Sequence, residues 1–501
     1  IMAESNYILT YDIGTTAIKL ILFNTDLKVV YQSQKKVETY SKEGYNFQKA
    51  EDWWNIVIEL TNEMVNDQIV DYAKIIAISS TGQMEDCLLL NEEGKPLTEV
   101  LLYSDGRAKK EYEFLVNKYN RETLDMMTGN KFDTLMSINK YLWLKNNRED
   151  SFQEHSHLIL GSKDYINFKL TGNNITDYTN ASTTGFLDIN QMQLNEKIVK
   201  DLEMDIQKLP KIKKATDKIG NLSKKAANKL GLKAGIPVIN GSGDVGASTL
   251  GAGAWEVGDI YCYLGTTSWL AMPSNDISNN RNLFTLSNID GLSYIIAGAV
   301  LNAGQTYDWY LSNIMGIDEI NNDVYEQVEN QLKELNTEEI TSIFIPYLNG
   351  ERSPLKIDTN NGIFANIGSE TDQFRMLYSV LEGVGFSLKH NMLEMLGNKN
   401  SKYIAMKNIN LIGGGSKSKI WPQMLSNILE SKVNILELET AAPSLGSAVI
   451  ALKSLDIFNA GNNFEEIYKI TDELYPEDSK LDYYRTKYEQ YQKLVNQNFQ
   501  N

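Results

Sequence analysis

The chain has 501 residues, 42% hydrophobic and 23% charged, with a formal net charge of −17. That composition is ordinary for a globular protein, and the length asks for two to four domains at roughly 100–200 residues each. The acidic balance argues against nucleic-acid binding, which needs a basic stripe, and makes an anionic membrane surface a poor partner. Two cysteines, Cys87 and Cys262, give no disulfide framework and suit a reducing cytoplasm. With only three histidines (His155, His157, His390) beside them, a typical zinc site is not expected. No apolar run reaches the roughly 18 residues of a membrane span, and no secretory signal is expected.

In chain order, residues 7–13 (YILTYDI), 17–23 (AIKLILF) and 27–33 (LKVVYQS) are β-branched and apolar, split by Gly14-Thr15-Thr16 and Asn24-Thr25-Asp26. They are predicted as a β-meander. Trp53, Trp54, Val57 and Leu60 then recur at helical spacing, which predicts a helix over 51–67. A buried strand is predicted over 74–79, running into Thr81-Gly82-Gln83. Strands and helices alternate beyond it, the pattern of an α/β chain.

Residues 10–16 (TYDIGTT) and 261–267 (YCYLGTT) echo one another about half a chain apart. A Gly-Thr-Thr hairpin turn is common, but the echo also fits two related domains, each offering a phosphate-binding hairpin. Only the first copy has an acid, Asp12; Tyr263 stands at that place in the second, so the halves are not equivalent. The boundary is expected near 250–256, dividing the chain into 1–252 and 253–501. Residues 462–500, rich in Tyr, Glu and Lys, read as a solvated C-terminal helix.

Asp12 stands directly before Gly14-Thr15-Thr16, with Lys19 on the returning strand. Such a turn points N–H and hydroxyl groups at an anion. A carboxylate beside a phosphate makes sense with Mg²⁺ between them, and an Asp stabilising its own turn is the plainer alternative. Residues 237–253 (PVINGSGDVGASTLGAG) read as a strand, a turn and a small-residue helix. Gly241, Gly243 and Gly246 match a dinucleotide-binding fingerprint, but Asp259 begins the next strand where that motif wants an acid at its end. Asp244 is the better candidate, a carboxylate at a strand end able to accept a proton from an attacking hydroxyl, or else a helix cap. Residues 411–431 bring a strand to three glycines and an amphipathic helix, without the Gly-Lys-Ser/Thr of a Walker loop. Gln83, Glu85, Asp105 and Arg107, with the face of Tyr103, could hold a polyhydroxylated ligand.

Taken in order, these segments resemble the FGGY carbohydrate kinases of the actin/hexokinase/Hsp70-like superfamily. The resemblance covers nearly the whole chain: DIGTT at 12–16, EDWW at 51–54, GQM at 82–84, SDGRA at 104–108, KDYINFKLTG at 163–172 and TDYTNASTTGFLD at 176–188. GSGD at 241–244, LGTTSW at 264–269, IPYLNGERSP at 345–354, LIGGGSKS at 411–418 and SLGSA at 444–448 continue it. It implies an α/β chain of two ribonuclease-H-like domains, each a mixed five-stranded sheet with helices, on a deep cleft. It implies an enzyme that moves the γ-phosphoryl group of ATP to a sugar or polyol hydroxyl, with ATP and Mg²⁺ required. Asp244 falls at the family's catalytic base, and Asp12 at its Mg²⁺-ATP position, through water. Gly14, Thr15, Thr16 and Lys19 fall in the first phosphate hairpin, and Gly265, Thr266 and Thr267 in the second. Gly304, Asp308, Gly414 and Ser418 match the adenosine pocket. Gln83, Met84, Glu85, Tyr103, Asp105 and Asp244 match the sugar site.

The pattern is most similar to the xylulose-kinase branch, which implies a pentulose substrate and a role in xylose metabolism. Met84-Glu85 departs from the Met-His usual there, Tyr103 replaces a tryptophan, and Gly106 replaces Gln or Arg. A carboxylate at Glu85 accepts from two hydroxyls and repels the carboxylate of gluconate. Glycerol or another polyol, another ketose, or gluconate is the alternative substrate. A NAD-dependent dehydrogenase and a non-catalytic sugar-binding relative are distant alternatives. A cytoplasmic enzyme is expected, a homodimer being the common state of such proteins.

Overall fold

Apolar residues on both faces of the first strands bury them from both sides. In the computed structural model, which describes residues 6–397, 408–438, 440–458 and 467–499, β1 (Tyr7–Ile13), β2 (Ala17–Asn24) and β3 (Val29–Lys36) form the predicted meander. β4 (Ile75–Gly82) pairs parallel with β1, and β6 (Pro237–Gly243) pairs parallel with β4. β5 (Lys218–Asn221) adds antiparallel to β6, giving the six-stranded order β5-β6-β4-β1-β2-β3.

Helix α1 (Ala50–Asn66) turns Trp53, Trp54, Val57, Leu60 and Met64 onto this sheet's core. Burying each such side chain is worth roughly 1.5–3 kcal/mol. Helices α2 (Ser137–Asn147), α3 (Ser162–Thr171) and α4 (Asp244–Gly251) follow in the same unit. The unit comprises residues 1–252, 285–295 and 438–467, so the chain returns to it twice. The second return supplies the helix Ala442–Ser454, which crosses α4 at backbone contact. A Cβ on Gly251 would lie 1.8 Å from the Ala442 carbonyl oxygen, and one on Gly446 would lie 1.8 Å from that of Ala247.

The second unit comprises residues 253–284, 296–437 and 468–501. The seven-stranded sheet is built from β7 (Ile260–Leu264), β8 (Ser268–Ser274), β9 (Phe284–Ser287), β10 (Tyr294–Val300), β11 (Ile409–Ile412), β12 (Val433–Glu437) and β13 (Lys469–Leu474), in the order β9-β10-β8-β7-β11-β12-β13. β7 pairs antiparallel with β8 and parallel with β11, repeating the β1-β2-β4 arrangement. The α/β expectation with two mixed sheets therefore holds, and the sheets carry six and seven strands because edge strands extend the five-stranded core. Helices α5 (Gly304–Asn313) and α6 (Gln373–Met395) pack beside this sheet.

The C-terminal segment departs from expectation. Of 462–500, residues 462–466 and 500 lie outside the described residues; Lys469–Leu474 is a strand antiparallel to β12, and α7 (Asp478–Phe499) follows it. α7 is not a solvated cap, because Tyr484, Tyr488, Tyr491 and Val495 are buried in the core. Its composition concealed this: tyrosines are apolar enough for a core while their hydroxyls find partners there. Tyr484 bonds Tyr378 at 2.8 Å and Tyr491 bonds Tyr347 at 3.3 Å.

Candidate active site

β1 delivers Asp12 to its end, and antiparallel register sets Lys19 opposite it. Lys19 Nζ lies 3.4 Å from Asp12 Oδ2; burial raises the carboxyl pKa and Lys19 pulls it back. The Gly14 N–H donates to the Ala17 carbonyl at 3.1 Å, and a Cβ on Gly14 would stand 3.0 Å from that oxygen. Thr15 Oγ1 donates to Gln83 Oε1 at 2.7 Å, and Gln48 Nε2 donates to the Thr15 carbonyl at 2.7 Å. Gln83 Nε2 and Trp53 Nε1 both donate to Gln48 Oε1, at 3.2 and 2.9 Å. The hairpin is thus braced from beneath. Gln83, expected at the sugar, holds Thr15, while Thr16 is exposed at the tip.

Beyond Gln83 the chain enters an unusual turn. Glu85 has φ 61, left-handed for a residue with a side chain, a conformation that persists only when neighbours hold it. Here Asn180 Oδ1 accepts the Glu85 N–H at 3.3 Å and Lys140 Nζ donates to the Glu85 carbonyl at 2.8 Å. Burial pushes the Glu85 carboxyl up to about 8, with Lys140 opposing and Asp133 adding. Glu85 is therefore largely neutral at pH 7, which revises the expectation of a carboxylate that repels gluconate: desolvation outweighs the single nearby lysine. Asp86 is buried, with neither carboxyl oxygen hydrogen-bonded, and burial raises it well above the ordinary range. Burial lowers Lys140, and Glu85 and Asp86 partly restore it. No motif singles out Lys140 or Asp86, and only an apolar context around each charge could have signalled them.

Asp105 accepts Arg107 Nε on both oxygens, at 3.0 and 2.9 Å, so its carboxylate is already bound within its own loop. The Arg107 guanidinium also lies over the rings of Tyr45 and Trp143. Tyr103 is exposed beside this loop. Met84 is buried against the Gly243 turn, where a Cβ on Gly243 would come within 2.5 Å of the Met84 sulfur.

Asp244 opens α4 where β6 ends. Burial pushes its carboxyl up to about 7, with Asp12 adding to the rise. Gly241 has φ 70 at a register shift in the β6–β4 ladder, and a Cβ there would lie 1.8 Å from the Ser80 carbonyl oxygen. Gly246 faces Ser242 Oγ, which a Cβ would approach to 2.3 Å. Close packing and a bulge explain these glycines, rather than a pyrophosphate fingerprint.

In the second unit, the turn Gly265–Thr267 closes with the Gly265 N–H on the Thr267 carbonyl at 3.0 Å. Tyr263, at the place equivalent to Asp12, stacks on Trp269 with centroids 4.3 Å apart. The echo thus carries an ion pair in one copy and an aromatic pair in the other. Gly304 N–H donates to the Gly265 carbonyl at 2.8 Å and Gln305 N–H to that of Thr266 at 3.1 Å, joining the start of α5 to the hairpin. A Cβ on Gly304 would lie 2.5 Å from the Gly265 oxygen. Asp308 accepts the Tyr325 hydroxyl. Gly414 has open space where its side chain would be. Ser418 Oγ accepts the N–H groups of Ile420 and Trp421, at 3.3 and 3.0 Å, just before and at the start of the helix Trp421–Leu429.

Comparison with known proteins gives a consistent result. The N-terminal domain model of the FGGY family of carbohydrate kinases matches residues 7–251, and the C-terminal domain model matches residues 260–455. The chain is 28% identical over 469 residues to a xylulose kinase of Staphylococcus xylosus, covering 92% of this chain and 94% of that protein. Its fold superposes on ligand-bound xylulose kinase and on gluconate kinase, both from Lactobacillus acidophilus. Each comparison has a TM-score of 0.87 and covers 98% of both chains, at 24% and 25% identity. The overall fold is equally similar to both.

Proposed function

The chain belongs to the FGGY family of carbohydrate kinases and is an ATP-dependent sugar kinase; from that premise we propose that it phosphorylates a pentulose such as xylulose, with Asp244 as general base. The observation that carries the reading is Asp244 itself, at a strand end, with its carboxyl pushed up to about 7. A base with a pKa near the working pH is both ionised and basic enough to take a hydroxyl proton. As the sugar oxygen bonds to the γ-phosphorus, the bond to the β–γ bridging oxygen breaks and Asp244 receives the proton. Phosphoryl transfer leaves the protein mainly positioning and charge stabilisation. We assign that work to the N–H and hydroxyl groups of Gly14, Thr15 and Thr16, with Lys19, and to Gly265, Thr266 and Thr267. Gly304, Asp308, Gly414 and Ser418 are our candidates for the adenosine side.

Among the described residues no cluster of three or more His, Cys, Asp or Glu side chains is arranged to hold a metal alone. A single buried carboxylate nevertheless suits Mg²⁺, which keeps most of its waters and draws other ligands from phosphates. Asp12 would hold it through water, and the bound ion would neutralise phosphate charge.

For the sugar we assign Glu85 to the hydroxyls, Tyr103 to the ring or chain face, Met84 to the wall beside Asp244, and Gln83 and Asp105 to support of their loops. The identity to xylulose kinases favours a pentulose. Gluconate is the second reading, since a largely neutral Glu85 no longer repels a carboxylate.

The test is ADP release from ATP against ketopentoses, aldonates, polyols and hexoses, with and without a magnesium chelator and with Asp244→Ala as control. Turnover confined to a ketopentose, lost on chelation and in the variant, supports the reading. Preference for an aldonate replaces the substrate, and full turnover in Asp244→Ala removes the base.

A further inference from the structure

Asp12 lies near the end of β1, Glu85 in the turn after β4 and Asp244 at the start of α4. Buried polar residues in and beyond the first turn of α3 bond the backbone beside Asp12, the Glu85 N–H and the two residues before Asp244. Ser162 Oγ donates to the Ile13 carbonyl at 2.9 Å, and the Ser162 N–H donates to that of Gln83 at 3.2 Å. The next residue, Lys163, is 1% exposed, and its Nζ lies 2.6 Å from Asp164 Oδ1 and 3.1 Å from Asp177 Oδ1. Asp177 is fully buried and accepts from Ser242 Oγ and from the Gly243 N–H, both at 3.2 Å, the two residues directly before Asp244. It also accepts the N–H groups of Thr179 and Asn180, at 3.0 and 3.3 Å. Asn180 Nδ2 in turn donates to Asp164 Oδ2 at 2.9 Å, while Asn180 Oδ1 holds the Glu85 N–H.

Stability does not account for such a cluster. Two carboxylates on one buried lysine leave net negative charge out of water, and apolar residues of the same volume often serve a core as well or better. Burial works to lower the Lys163 pKa, but Asp164 and Asp177 more than offset it and keep the ammonium charged. What the ions supply is direction: hydrogen bonds running outward to backbone groups of separate loops. A bond of this kind fixes a loop to a fraction of an ångström, which is the precision that proton transfer and sugar orientation need.

We propose that the Lys163–Asp164–Asp177 cluster is a positioning device for phosphoryl transfer, holding the Glu85 turn and the turn before Asp244 in one fixed relation. The inference rests on the kinase reading of Asp244 and Glu85, and Asp177 and Asn180 act through those residues. Asp177→Asn keeps the side-chain shape and removes the charge that holds both loops. Asn180→Ala cuts the branch to Glu85 together with the bonds from Asn180 Nδ2 to Asp164 and Thr176, and leaves the bonds from Ser242 and Gly243 to Asp177 in place.

The experiment is amide hydrogen exchange and steady-state kinetics on the full chain. In Asp177→Asn, residues 83–87 and 241–246 should both exchange about tenfold faster, while 260–268 stays unchanged. In Asn180→Ala residues 83–87 should loosen while 241–246 stay protected. Asp177→Asn should lower kcat on the order of 10²-fold with the KM for ATP unchanged, and Asn180→Ala should raise the sugar KM more than it lowers kcat. Loosening spread evenly over the first unit, or wild-type kcat in Asp177→Asn, overturns the proposal. Should Asp177→Asn fail to fold, the Asn180→Ala pattern decides: confined loosening supports the proposal and general loosening ends it. Should the wild type phosphorylate no sugar of the panel, the substrate reading fails, and the exchange pattern still separates a positioning cluster from general packing.

Discussion

Gly446→Ala tests whether a helix far along the chain sets the position of Asp244. Gly446 lies where the helix Ala442–Ser454 meets α4, and an added Cβ would stand 1.8 Å from the Ala247 carbonyl oxygen and 2.6 Å from its carbon. An ordinary contact is about 3.4 Å, so the two backbones must part by roughly 1.6 Å, and no flexible side chain is there to yield. Overpacking of this kind costs about 1–3 kcal/mol, which lowers the melting temperature by roughly 2–12 °C in a unit of this size. Asp244 opens the same helix one turn before Ala247, so a rigid α4 carries the displacement to the carboxylate. A shift of about 1 Å at a reacting group costs on the order of 10²-fold in rate. The assay is sugar-dependent ADP release beside a thermal melt, with Gly368→Ala as control because its Cβ would meet nothing within 4 Å. Gly446→Ala with wild-type melting and wild-type kcat would show that α4 and its partner are not locked as described.

The pH profile follows from two shifted acids. Asp244, near 7, must be ionised, so kcat/KM should fall about tenfold per pH unit below that point. Glu85, near 8, donates only while neutral, so sugar KM should rise above that point, and Glu85→Gln should remove the alkaline limb while keeping the acid one. A flat wild-type profile between about pH 5.5 and 9 would refute both assignments. The same shifts act oppositely on stability: acids whose folded pKa is raised contribute stability at low pH that is lost as pH climbs through about 7–8. The ligand-free protein should therefore melt higher near pH 6 than near pH 8.5. In the second unit, Lys487→Met strands buried Glu382, which also accepts Tyr483 Oη at 2.7 Å, and should cost about 3–5 kcal/mol in urea unfolding. Glu382→Leu with Lys487→Met should recover most of that loss, and equal damage in single and double variants would show that charge is not the cause.

Local pattern alone was enough for much of this molecule. The meander, α1 and the strand ending at Gly82 were legible because alternation and helical spacing report burial directly. The two Gly-Thr-Thr hairpins were legible because a turn is closed by residues a few positions apart. Asp12 and Asp244 stood out as lone acids at strand ends, and the ordered motifs identified the family. Other features depend on partners that no local pattern announces. β13 was hidden because polar edge strands look like charged helix in composition, and α7 because tyrosines serve a core and a surface equally. Gln83 braces Thr15, 68 positions away, and Asp177 grips Gly243, 66 positions away. The ionisation of Glu85 also lay beyond the sequence, since its pKa depends on burial and on Lys140, 55 positions along the chain. Most of the local elements, and the side chains proposed for the chemistry, are written in the order of residues. How those side chains are held and charged is settled by the folded chain, because desolvation and hydrogen bonding between distant residues arise only when it closes on itself.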